Sequence, residues 1–157
     1  MTKKMLLIPL LFFCKVGWCQ QDTSAVKFLN PPSVATPRGY SQAAVIDLGT
    51  ARMVIISGQV AFDKQGQLIG AGDFSAQAGQ VFSNIRSIVE SAGGTMDDLV
   101  RIGIYLTDMT KTPLVRTARD KFINTKNPPT SILVQVNKLF RDDVLLEIEA
   151  TAIIPKK

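Results

Sequence analysis

Four short stretches of the chain carry groups that could do chemistry. Tyr40, in Gly39-Tyr-Ser-Gln42, offers a phenol as a donor and a ring on which a flat ligand could stack. Ser57-Gly58 offers a hydroxyl and a backbone N–H that a ligand can approach closely, because glycine has no Cβ. In Thr130-Ser131-Ile132 the chain leaves Pro128-Pro129 extended, so the N–H groups of Ser131 and Ile132 could receive a carboxylate. Glu147 could hold and polarise a water, a general-base role that needs suitable geometry and favours a raised pKa. Three of the stretches also have a plainer reading. A tyrosine after glycine is often a packed loop anchor, a glycine at a strand end is often a turn, and a strand glutamate is often just solvated. Brought together at a sheet edge, the four describe a site for a small ligand and a water.

The strand that carries Glu147 organises the rest. Val144 to Ile154 alternates with a period of two and is closed by Pro155. Leu146, Ile148, Ala150, Ala152 and Ile154 form an apolar face, while Leu145, Glu147, Glu149, Thr151 and Ile153 form the other. Two carboxylates among aliphatic side chains are costly if buried without partners. That face either looks into solvent or lines a subunit contact or cleft where a carboxylate has a task.

Ahead of it, Gln21 to Gly39 is a polar lead-in with Pro31, Pro32 and Pro37, expected to be extended and partly mobile. Ala43 to Leu48 and Met53 to Ile56, the latter running into Ser57-Gly-Gln-Val60, read as an antiparallel meander with a turn at Asp63 to Gly66. A helix starts at Asp73, its N-cap, and stops at Gly93-Gly94. Its apolar stripe is Phe74, Ala78, Val81, Phe82, Ile85, Ile88, Val89 and Ala92. Leu99 to Thr107 is a strand with Val100, Ile102, Ile104 and Leu106 on one face and Arg101, Gly103 and Tyr105 on the other. Thr112-Pro113 opens a second helix with the stripe Leu114, Val115, Ala118 and Phe122 and a solvated basic face, ended by Asn127-Pro128-Pro129. Ser131 to Val136 is a further strand. The order β-β(-β)-α-β-α-β-β predicts an α+β two-layer sandwich, a mixed sheet with two helices on one face. Two helices cover only one sheet face, so the glutamate-bearing face is expected to be shared between subunits of a closed homo-oligomer.

Composition narrows the chemistry further. Lys3 and Lys4, the apolar run Met5 to Cys14, and small residues at Gly17 and Cys19 read as an export signal over residues 1–19, cleaved before Gln20. The run is shorter than the roughly 20 residues a membrane span needs. A lipoprotein with Cys19 modified is the poorer alternative, because Trp18 stands where a small residue is expected. The expected organisation is thus a signal over 1–19, a lead-in over 20–36 and a domain over 37–157, in the periplasm or outside the cell. Both cysteines, Cys14 and Cys19, fall in the signal, and the chain has no histidine. Ser/His and Cys/His nucleophiles and Cys- or His-built zinc sites are therefore excluded from the mature domain. Removing Lys3, Lys4 and Lys15 leaves 15 basic against 13 acidic side chains, a charge of +2. That balance does not argue for a nucleic-acid or membrane surface.

The motifs GYSQA (39–43), IISGQV (55–60), NIRSIVESAG (84–93), VRIGIYLTDM (100–109), PPTS (128–131) and LEIEATAII (146–154) together resemble the RidA (YjgF) family of reactive intermediate/imine deaminases. The likeness spans residues 36–155 in order and spacing. It implies a chorismate-mutase-like fold, a homotrimer and clefts between subunits. It also implies cofactor-free and metal-free hydrolysis of enamine/imine intermediates to 2-oxo acids and ammonia, as in 2-iminobutanoate/2-iminopropanoate deaminases. By position Tyr40 resembles the cleft tyrosine, Gly58 the backbone donor and Glu147 the acid that orients water. Nuclease and translation-inhibitor activities attached to some relatives do not suit the charge or the export signal. One departure stands out. The deaminase branch has an arginine that clamps the substrate carboxylate, where this chain has Thr130, which cannot form the charged fork. Arg38 and Arg116 are the cations that could replace it. Without a replacement the chain is a non-catalytic binder of a small metabolite, or its ligand is neutral or differently charged.

Overall fold

The computed structural model describes residues 25–156. The expected signal and its cleavage site lie outside them. Six strands form one sheet in the order β1-β2-β3-β6-β4-β5. They are β1 (Val26–Leu29), β2 (Ala43–Asp47), β3 (Ala51–Gln59), β4 (Leu99–Leu106), β5 (Thr130–Gln135) and β6 (Leu146–Pro155). All neighbours pair antiparallel except β4 and β5, which run parallel and are joined through α2. The helices α1 (Phe74–Ser91) and α2 (Thr112–Arg119) lie on one face, so the sandwich is the α+β two-layer one expected.

Alternation along β6 decides the layers. Leu146, Ile148, Ala150, Ala152 and Ile154 are buried under the helices, whereas Glu147, Glu149, Thr151 and Ile153 stay half-exposed on the open face. The whole predicted stripe of α1, from Phe74 to Ala92, is buried against that apolar face. Asp73 caps α1 by accepting from the N–H groups of Ser75 (2.8 Å) and Ala76 (3.1 Å).

Leu114, expected in the apolar stripe of the second helix, is exposed, and three further local readings differ from the structure. The lead-in is extended, but β1 within it pairs with β2, adding an edge strand beyond the expected boundary at residue 37. Polar and proline-bearing flanks hid so short a strand. The second helix ends at Arg119 rather than near Asn127. There the chain turns so that Ile123 is buried and Phe122 stacks on Phe82 with centroids 5.7 Å apart, and Asn124 accepts from the N–H groups of Lys126 and Asn127. Val100, expected on the buried face of β4, is exposed, and Leu99 is buried in its place. The β4–β6 register slips between Leu99 and Arg101, and a one-residue slip moves side chains to the opposite face.

Candidate functional site

A second slip builds the site. Ile56 opposes Ala150 but Gln59 opposes Ile148, so Ser57-Gly58 is a bulge in β3 beside the strand that carries Glu147. Glu147 projects onto the open face and its carboxylate lies across Gly58. A Cβ placed on Gly58 would come within 1.7 Å of Glu147 Oε1, so no other residue fits there without displacing the carboxylate. Glu147 is half-buried and has no hydrogen bond or ion pair among the described residues. Burial, and then the negative charge of Glu149, raise its pKa above the ordinary glutamate value.

Around this carboxylate opens a cleft of about 960 Å³, lined by Arg38, Tyr40, Ser57, Gly58, Phe62, Lys64, Phe140, Arg141 and Glu147 among others. Buried amides hold its walls. Gln42 donates from Nε2 to the Ala35 carbonyl (2.6 Å) and from its backbone N–H to Asn30 Oδ1 (2.8 Å). Gln59 Nε2 donates to Gln42 Oε1 (2.8 Å) and to the Ser57 carbonyl (2.9 Å), tying the Tyr40 segment to the bulge. From α1, Asn84 Nδ2 donates to the carbonyls of Val60 and Phe62. Gln77 donates to the Asp143 carbonyl (2.7 Å) and accepts from the Leu145 N–H (2.9 Å), fixing the entry to β6. These four buried amides went unassigned by sequence reasoning. Gln77 and Asn84 are seven residues apart and interrupt an apolar stripe, and that interruption was the available signal.

Tyr40, Ser57, Gly58 and Glu147 thus meet in one chain, and the phenol of Tyr40 is exposed to the cleft. Ser57 lines the cleft too, but its hydroxyl donates to the Ser41 carbonyl (2.7 Å). Thr130 and Ile132 do not join them. The expected four-way convergence fails within one chain because β4 lies between β6 and β5. Thr130 sits opposite Arg101, with its hydroxyl donating to the Val100 carbonyl (2.9 Å), and Ile132 is exposed on the same open face. The carboxylate-bearing strand is also interior to the sheet, not at its edge. Arg116 lines a separate cavity with Ile104, Val115 and Ser131, on the helix side of the sheet. Within one chain it does not line the cleft of Glu147.

Comparison with known proteins agrees with the geometry. Residues 31–154 match the family described as Endoribonuclease L-PSP. RidA from the Antarctic bacterium Psychrobacter sp. superposes on 82% of the chain and 99% of its own, with 32% identity and a TM-score of 0.72. The chain belongs to the RidA (YjgF) family. A RutC family protein of Pyrococcus horikoshii is 32% identical over 123 residues, covering 78% of this chain and 91% of that relative. TdcF of E. coli, solved with bound serine, is 29% identical with a TM-score of 0.70, over 81% of this chain and 98% of its own. Both are similar along nearly their whole length. The RidA family match covers β2 to β6, both helices and the bulge at Ser57-Gly58, and leaves β1 outside it.

Proposed function

We propose that this RidA-family chain hydrolyses the C=N bond of small enamine or imine compounds to 2-oxo compounds and ammonia, without a cofactor. The observation that carries the reading is Glu147, a half-buried carboxylate lying on Gly58, open to a cleft and without an ion pair among the described residues. A raised pKa makes it a stronger base than a solvated glutamate. Glu147 accepts a proton from a water as the water oxygen adds to the imine carbon. The C=N pair moves to nitrogen, which takes up the proton from Glu147 and regenerates its carboxylate. The carbinolamine then expels ammonia as its hydroxyl becomes the carbonyl, so one water is consumed and one ammonia leaves. Tyr40 and the Gly58 backbone position the ligand.

The reading includes self-association into a homotrimer. The open face exposes Ile55, Val100 and Ile132, and a neighbour's Thr130 and Ile132 could complete a cleft that its own chain leaves without them. Sedimentation equilibrium should give a mass of three subunits. The protein is also proposed to act in the periplasm or outside the cell, which N-terminal sequencing of exported material starting at Gln20 would support. The decisive assay generates an imine in situ with an amino-acid oxidase and follows its loss in the presence of a trapping amine. Wild-type protein should accelerate loss and Glu147→Gln should not. No acceleration by the wild type would sink the reading.

Thr130 favours a second reading, a binding protein for a small metabolite that uses the same cleft. The bound serine in TdcF supports it as well. Thermal stabilisation by small metabolites with no imine turnover would select this reading over the first.

A further inference from the structure

The cleft holds charge and apolar surface that the proposed reaction does not use. Arg141 is committed, since its Nε donates to Asp143 Oδ1 (2.9 Å) and its guanidinium lies 5.2 Å from the centroid of Phe62. Arg38 is different. It lines the same cleft as Glu147 and makes no hydrogen bond or ion pair among the described residues. It also sits two residues from Tyr40, in the segment that Gln42 anchors, so its backbone is held beside the bulge. Lys64 lines the cleft from the turn between Asp63 and Gly66 and is likewise unpaired, but an ammonium there lacks the planar fork that matches a carboxylate. Thr130 is uncharged and lies on β5.

The opposite resource is aromatic. Phe62 and Phe140 meet edge to face, with centroids 6.0 Å apart, and both line the cleft. Phe140 is 65% exposed, an apolar ring left largely in water. A ligand that covers this pair gains burial and ring contacts that a small aliphatic one cannot.

We infer that the ligand is a carboxylate with a large apolar or aromatic side chain, its carboxylate taken by Arg38 and its side chain by Phe62 and Phe140. In terms of the proposed reaction, which this inference builds on, the substrate class is 2-imino acids with bulky side chains. The anion is gripped from the Tyr40 segment of the chain that supplies Glu147, not from the position of Thr130.

Titration calorimetry with stable 2-oxo acids tests this, using phenylpyruvate, pyruvate and the neutral carboxamide of phenylpyruvate on the purified protein. Wild type should bind phenylpyruvate about tenfold or more tighter than either of the other two. Arg38→Gln should lose about tenfold or more for phenylpyruvate and nothing for the carboxamide, with Arg38→Lys in between. Phe140→Ala should bring phenylpyruvate down to the affinity of pyruvate. Equal binding of acid and amide, an unaffected Arg38→Gln, or a loss that follows Lys64→Met instead would overturn the assignment of the carboxylate. An unaffected Phe140→Ala would overturn that of the side chain. The pattern without imine turnover by wild type removes the proposed reaction alone, and turnover without the pattern removes this ligand class alone.

Discussion

Glu147 and Glu149 are neighbours on one strand, face the same way, and each lies over a glycine of the adjoining strand. A Cβ on Gly58 would stand 1.7 Å from Glu147 Oε1, and one on Gly103 would stand 2.7 Å from Glu149 Oε1. There the likeness ends. Glu149 meets Arg101 of the adjoining β4 at 2.8 Å, and its charge is answered. Glu147 has no ion pair among the described residues, is half-buried so that its pKa is raised, and opens onto a cleft. One half of the open face is built as an ion pair and the other as an unanswered base. A carboxylate left without a partner at a cost in stability is the usual mark of a group with another task.

The largest expected contrast is in turnover. Glu147→Gln should lower imine hydrolysis by about 10²–10⁴-fold, the range for a lost general base. Glu149→Gln removes an exposed ion pair worth ~0–1 kcal/mol and should leave the rate within about fivefold. Comparable losses in both would erase the distinction between the two acids.

The glycines give the next contrast. Gly58→Ala must push the Glu147 carboxylate off its seat, so it should reproduce most of the Glu147→Gln rate loss at a stability cost of ~1–3 kcal/mol. Gly103→Ala should cost stability of the same order, because Glu149 must move, while sparing turnover. Denaturant melts alongside the imine assay separate these. A fully active Gly58→Ala would show that the carboxylate does not work from its observed position.

A smaller effect concerns pH. Because the folded-state pKa of Glu147 is raised above 4.5, ionising it disfavours the fold. Its stabilising contribution is complete below the ordinary carboxyl value and is lost as pH rises through the raised one. Glu147→Gln should therefore melt higher than wild type at pH 7–8, with the gap closing below about pH 4. Melting curves across that range with the gap absent or reversed would mean the carboxylate has found a cation, for instance in an assembled seam. The smallest effect expected is on the paired side. Arg101→Gln should cost at most ~1 kcal/mol, shrinking further in high salt.

Much of this arrangement was legible beforehand, and the residues show why. The two faces of β6 followed from alternation, and α1 from Asp73, its 3.6-residue stripe and the closing glycines, all local properties of the chain. Tyr40, Gly58 and Glu147 were picked out by type and motif, and the fold places them in one cleft. The slip at Val100, the strand β1 and the early end of α2 were not legible, since each depends on a partner far away in sequence. The same holds for Thr130 and Ile132, which motif order grouped with the site but which β4 separates from Glu147 within the chain.

The amino-acid sequence alone determined the layers, the apolar and carboxylate-bearing faces, and the absence of thiol and imidazole chemistry from residues 20–157. Those are matters of composition and of period along β6 and α1, and burial along β6 alternates without a break from Leu146 to Ile154. Only the tertiary structure decided which glutamate is answered, which glycine has no room for a Cβ, and which arginine reaches the cleft. Arg101 and Glu149 are 48 residues apart, and the bulge at Gly58 exists only where β3 meets β6. Charge and space are settled by neighbours in three dimensions, and alternation along a strand does not specify them.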